Sequence, residues 1–188
     1  MWSEWRSASS WPGQSPRGGR QSGCGTSSAR WSRASPTSPT VTASTSSPRS
    51  AVGAELLLDT GALVSLLDRS QSRHGEFVRF FEGFEGTILS TEAVLTEATH
   101  LLGRLRGGRA ACLDFFLSGG AVLVPAGPAS LKRCRALLER YADLPMDYAD
   151  ATLVALAEEV GTNVVLTTDR RDFGVYRVGR RRFDVLPR

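Results

Sequence analysis

The stretch "LLLDTGAL", residues 56–63, decides the fold. Three consecutive leucines leave no strand face for solvent, so the run "ELLLD" (55–59) reads as a strand buried on both sides, as in a parallel sheet covered by helices. The period then changes, and "GALVSLLDRS" (61–70) reads as a helix. Asp59 therefore stands where a buried strand hands over to a helix. An acid there either caps the helix or serves a ligand at the carboxyl edge of the sheet, where such folds bind them.

The alternation continues outward. "RHGEFVRFFEGF" (73–84) reads as a helix and "GTILS" (86–90) as a strand. "TEAVLTEATHLLGRLRG" (91–107) carries Val94, Ala98, Leu101, Leu102 and Leu105 at helical spacing. A helix at "RAACLDFFLSG" (109–119) and a strand at "AVLVP" (121–125) follow, then a proline-opened helix at "PASLKRCRALLERYAD" (128–143). The amphipathic "DYADATLVALAEEVG" (147–161) ends at Gly161, and "NVVLT" (163–167) and "RFDVLP" (182–187) close the series as strands. Such alternation predicts an α/β fold, a mostly parallel sheet with helices on its faces. The words Asp-Thr-Gly-Ala at 59–62 also open the aspartic-protease motif, and "LLGR" (101–104) imitates its apolar-apolar-Gly element. Those proteases are nearly all β and continue in strands after the motif, whereas this chain enters a helix, which leaves the protease a remote alternative.

Composition divides the chain. Residues 1–50 hold 15 Ser, 6 Arg, 5 each of Pro, Gly and Thr, all four Trp, and a single acid, Glu4. With no apolar period to offset the entropy of ordering, residues 1–52 are expected to be a disordered tail. A mis-assigned start in GC-rich DNA accounts for such a composition as well; an organellar transit peptide fits less, because no amphipathic stripe is present. The folded unit is expected over 53–188. Outside the first 50 residues the chain has 17 basic and 18 acidic groups, net −1, so the overall charge of +4 comes from the tail and gives the folded part no basic character for nucleic acid. Neither a signal peptide nor a membrane span is legible, and a soluble cytoplasmic protein is expected. Cys24, Cys112 and Cys134 are odd in number and widely spaced, which suggests neither disulfides nor a zinc site.

Four acids from separate segments are expected at one edge of the sheet. Asp59 ends the first strand, and Asp169 follows "NVVLT" by two residues. Asp150 lies in the first turn of its helix, with Leu153, Val154 and Ala157 on the same face. Glu97 flanks the Val94 and Leu101 stripe. Each acid has a bland alternative: a cap for Asp59, a solvated helix edge for Glu97, a turn for Asp169 or Asp172. Asp150 on an apolar face is harder to dismiss, because buried carboxylates need partners. Gathered together the four would repel and take up protons unless a cation joined them. Oxygen ligands without His or Cys favour Mg²⁺, or Mn²⁺ in its place, over zinc.

Taken in order, Asp59 after its apolar strand, Glu97 in "VLTEATHLL", Asp150 in "DYADATLVALA" and Asp169 in "LTTDRRDF" resemble the PIN-domain nucleases, particularly the VapC-like toxins of bacterial toxin-antitoxin pairs. The resemblance spans about 54–187. It implies a PIN-like, flavodoxin-like three-layer α/β/α arrangement around a five-stranded parallel sheet. It also implies Mg²⁺-dependent endoribonuclease cleavage of single-stranded RNA, a cognate antitoxin and a homodimer. Asp59, Glu97, Asp150 and Asp169 match the family's acidic quartet, and Thr167 matches the hydroxyl residue before the last acid. We assign Asp59 and Asp150 as direct metal ligands, with Glu97 and Asp169 acting through water or on the nucleophile. Gly61 departs from the family, which commonly has a small polar residue there, and the tail has no counterpart.

Other features compete. Glu97 and His100 form half of a di-iron pattern whose second half is missing, and His74 is the only other histidine. Asp147 reads as a helix cap or a fifth acid of the cluster. "YRVGRRRF" (176–183) is either a solvated turn or a phosphate contact. Three classes remain open: a toxin nuclease, a housekeeping PIN nuclease of RNA processing with no antitoxin, and a binding protein without chemistry.

Overall fold

The computed structural model describes residues 54–188, and the expected tail over 1–52 lies outside them. Five strands form one wholly parallel sheet in the order β3-β2-β1-β4-β7: β1 (Ala54–Leu58), β2 (Gly86–Thr91), β3 (Val122–Val124), β4 (Val164–Leu166) and β7 (Asp184–Leu186). Leu56, Leu57 and Leu58 have no exposed surface, which is the both-faces burial their run predicts. β1 is the central strand.

Helices α1 (Thr60–Leu67), α2 (His74–Gly83), α3 (Glu92–Leu102) and α4 (Gly108–Leu117) join the first three strands, and α5 (Pro128–Arg140) and α6 (Tyr148–Val160) lead from β3 to β4. The chain steps outward from β1 to β2 to β3, then returns across the sheet to β4 on the other side of β1. That reversal opens a crevice between the carboxyl ends of β1 and β4, the switch point at which open parallel sheets bind ligands. The helix that starts at Thr60 also removes the aspartic-protease reading.

Several boundaries move. Asp59 is not the last strand residue but the N-cap of α1, its carboxylate accepting from Gly61 N. The helix expected over 61–70 stops at Leu67, because buried Asp68 turns back to accept from Ser70 N and Oγ, Gln71 Nε2 and Arg104 Nη2. The helix expected over 91–107 ends at Leu102, and Gly107, at φ 76, makes the turn that only glycine adopts without strain. A short helix α7 (Arg170–Val175) and a two-stranded hairpin, β5 (Arg177–Val178) with β6 (Arg181–Arg182), stand where the sequence reading has only a loop and the start of the last strand. Six residues with one buried side chain, Phe173, carry no helical period to read.

The Asp68 knot should be measurable. Its donors hold the carboxyl well below the usual carboxylate range, the Ser70 hydroxyl contributing most. A depressed pKa gives stability that is present above the ordinary aspartate value and is lost as pH falls through the folded value. Asp68→Ala is therefore expected to cost about 1–3 kcal/mol at neutral pH by denaturant titration, with the gap to wild type narrowing in strong acid.

Candidate active site at the carboxyl edge of the sheet

The crevice between β1 and β4 is bridged by two hydrogen bonds. Thr167, fully buried just past β4, donates its hydroxyl to Asp59 Oδ2 at 2.6 Å, while Asp59 N donates to Leu166 O at 3.0 Å. Asp59 is 8% exposed. Burial pushes its carboxyl from the ordinary 3.8 up to about 6, against the Thr167, Thr60 and Gly61 donors that favour the charged form, and the Glu97 carboxylate adds to the rise.

The next two acids arrive from helices. Glu97, half-buried on α3, accepts from the Thr60 hydroxyl at 2.8 Å, which ties α3 to the first residue of α1. Asp150, in the first turn of α6, follows the N-cap Asp147, whose carboxylate accepts from Asp150 N. Its side chain accepts from the Tyr176 hydroxyl at 3.0 Å. Burial, then Asp147, then Asp59 raise the Asp150 carboxyl to about 7. Tyr176 in turn is pushed far above the usual phenol range, first by burial and then by the Asp150 charge. Below them Thr91 Oγ1 and Thr152 Oγ1 lie 2.8 Å apart, fastening the start of α3 to α6.

Asp59 thus senses the Glu97 charge, and Asp150 senses that of Asp59. None of the five ion pairs among the described residues involves them. Asp169 is exposed: it caps α7 by accepting from Asp172 N, its own N–H donates to Thr167 Oγ1, and its charge acts on Tyr176. Asp147 is a cap, as expected, and also acts on Asp150 electrostatically. Among the described residues no three Asp, Glu, His or Cys side chains are already gathered to hold a metal ion. The donor chemistry nevertheless fits a hard divalent cation: oxygen ligands only, two of them reluctant to ionise unaided, and no lysine or arginine paired with them.

The remaining sequence candidates separate cleanly. His74 Nδ1 lies 2.8 Å from Ser65 O, so it holds α2 against α1. Arg181 donates to Gly161 O and Asn163 Oδ1 at the far end of α6 from Asp150, so the basic hairpin sits at the sheet's opposite edge from the acids. The residues that sequence reading misses are Thr60 and Tyr176. Each is invisible until the fold brings it 37 or 26 positions along the chain to its acid.

Comparison with known proteins settles the family. The PIN domain matches residues 56–179. The chain belongs to the PIN-domain family. Ribonuclease VapC26 of Mycobacterium tuberculosis is 28% identical over 135 residues, 70% of this chain and 100% of that protein. In fold the PIN domain is similar to Mycobacterium tuberculosis VapC20, described as a sarcin-ricin loop cleaving toxin (TM-score 0.55, 21% identity, covering 58% of this chain and 86% of that one). It is also similar to a chain of a toxin-antitoxin complex from Klebsiella pneumoniae (TM-score 0.52, 18% identity, 70% and 96% covered).

This PIN domain explains its own departure at Gly61. A Cβ there would overlap Thr168 Oγ1 and come within 3.5 Å of Asp59 Oδ2, so the Thr168 hydroxyl fills the space that a side chain at 61 would take. Thr167 offers a direct test of the bridge. Thr167→Val keeps the shape but removes the donor to a buried carboxylate, and the Mg²⁺ concentration giving half-maximal thermal stabilisation is expected to rise about tenfold. Thr167→Ser should restore it; an unchanged midpoint in the valine variant would show that the bridge does not fix Asp59.

Proposed function

We propose that this PIN domain is a Mg²⁺-dependent endoribonuclease that cuts single-stranded RNA, with Mn²⁺ able to replace Mg²⁺, and that it acts in the cytoplasm as the toxin of a toxin-antitoxin pair. One observation carries the reading: the buried Asp59 and the half-buried Asp150, both raised toward neutrality beside Glu97 and with no basic partner, at the switch point of the sheet. The similarity to a ribonuclease over its whole length supports the same class of reaction.

Asp59 and Asp150 would hold the cation. Bound there, it supplies the positive charge that stabilises a phosphoryl transition state and eases ionisation of the attacking water. Attack on phosphorus breaks the bond to the leaving oxygen. Glu97, steadied by Thr60, and the exposed Asp169 would orient the water and take its proton. Thr167 and Tyr176 keep the two ligand carboxylates aimed.

The antitoxin would cover this cluster with a segment bearing Arg or Lys, supplying by contact the charge that the acids need. Family analogy adds a homodimer, read by solution mass. Among the described residues no helix is long and apolar enough to cross a membrane. Expression of wild type in a bacterial host is expected to arrest growth, Asp150→Asn to spare it, and a small protein encoded beside the gene to restore it. Normal growth with an enzyme active on RNA in vitro would favour a housekeeping nuclease without antitoxin.

A further inference from the structure

Beside the acids lies an open groove of about 690 Å³ between α3, the segment entering α5 and the start of α6. Its volume falls within the range of about 300–1,000 Å³ seen for small-ligand clefts. Glu97 and Asp147 line both the groove and the edge of the acid cluster, so the two are continuous. Glu92 and Glu159 extend the acidic lining, and no lysine or arginine contributes to it. An RNA phosphate would be repelled from such a groove.

The rest of the lining has a different chemistry. Val124 and Leu156 supply apolar wall, and Tyr148 stands at the mouth with 44% of its surface exposed. Tyr148 is the first residue of α6, directly after the N-cap Asp147; it lines the groove together with Asp147 and Glu97, whereas Asp150, two positions on, faces the other side of the helix. A flat group with apolar faces and hydrogen-bond donors on its edge meets all three features. Unpaired nucleobases are such groups, and proteins read them by stacking on aromatic side chains and bonding their edges.

Resting on the ribonuclease reading, we infer that this groove is a nucleobase subsite. Tyr148 stacks an unpaired base beside the scissile phosphate, and the carboxylates accept from the base's amino edge. Carboxylates accept from the cytosine amino group, and adenine and guanine also carry one. Uracil has none. The subsite therefore selects cytosine, adenine or guanine over uracil next to the cut.

The test uses the full chain and a single-stranded oligoribonucleotide of mixed sequence, in which the cut is first located. The nucleosides on either side are then replaced in turn by guanosine, cytidine, adenosine, uridine or an abasic residue. At one flank, wild type is expected to lose about tenfold or more in kcat/KM on the abasic and uridine substrates, mainly through KM. Tyr148→Ala should flatten that preference, and Tyr148→Phe or Tyr148→Trp should keep it, a rescue that a merely structural role would not give. Equal cleavage of base-bearing and abasic substrates by wild type would overturn the subsite while leaving the ribonuclease standing. So would a loss in Tyr148→Ala that is the same on every substrate. Competition by an arginine-rich peptide that depends on Tyr148, without base preference, would assign the groove to a cationic polypeptide instead. Failure of wild type to cut any RNA would overturn both readings.

Discussion

Asp59→Asn is expected to melt at a higher temperature than wild type at pH 8 in EDTA, and yet to lose RNA cleavage by 100-fold or more. The two effects have one cause. In the metal-free fold the buried Asp59 carboxylate is held against its preference, its pKa raised to about 6 chiefly by burial. An amide of the same shape has no charge to desolvate and still accepts from Thr167 and Gly61. By linkage the relief is on the order of 3 kcal/mol, or roughly 5–10 °C in Tm. The same amide is a poor ligand for Mg²⁺, so the gain in stability removes the chemistry. A variant that is both inactive and destabilised would point instead to a cap without a catalytic role.

Stability against pH carries the second large effect. Asp59 and Asp150 have folded pKa values near 6 and 7, above the ordinary 3.8. The folded state therefore binds protons more tightly than the unfolded one across that window. The contribution of these two groups to stability without metal should be undiminished below about pH 4 and fall as pH rises through 6 to 7, then level off. A cation that binds only the ionised pair reverses the trend. Added Mg²⁺ is expected to raise Tm at pH 8 by several degrees and at pH 5 hardly at all, measured by scanning calorimetry in matched ionic strength. A Mg²⁺ effect of equal size at both pH values, or one that persists in Asp59→Asn, would mean that the ion binds elsewhere.

How far the site is legible in sequence depends on how local its cause is. The Leu56–Leu58 run has no polar residue to leave in water, so its burial on both faces, and with it the parallel sheet, follows from three letters. Asp150 is legible because Leu153, Val154 and Ala157 on its helix face must be buried, and a carboxylate among them needs a reason. Glu97 is harder. Its flank position on α3 is local, but the hydrogen bond from Thr60 exists only after the β1–β2 pairing has brought the two helices together. Tyr176 escapes altogether, since the helix α7 that it follows is too short to show a period and its hydroxyl reaches Asp150 only in the folded chain. Asp169 is the opposite case: legible as an acid after β4, it is found as a solvent-exposed cap and not as a buried carboxylate.

The hairpin arginines teach a related point about charge. Arg177, Arg180, Arg181 and Arg182 invite a phosphate-binding reading because they cluster in sequence. The strand direction decides otherwise. β7 starts at the edge opposite the acids, so the hairpin that precedes it must end there too, and Arg181 is spent on Gly161 O and Asn163. Sequence clustering gives the charge but not the edge.

The most direct test of the central claim, that Asp59 and its neighbours form a metal-dependent ribonuclease site, is cleavage of a labelled single-stranded RNA by equal amounts of wild type and Asp59→Asn, purified side by side. Wild type is expected to cut in Mg²⁺ and not in EDTA, and the variant to cut at least 100-fold less in Mg²⁺. Equal cutting by the two proteins, or cutting by wild type that EDTA leaves untouched, would contradict that claim.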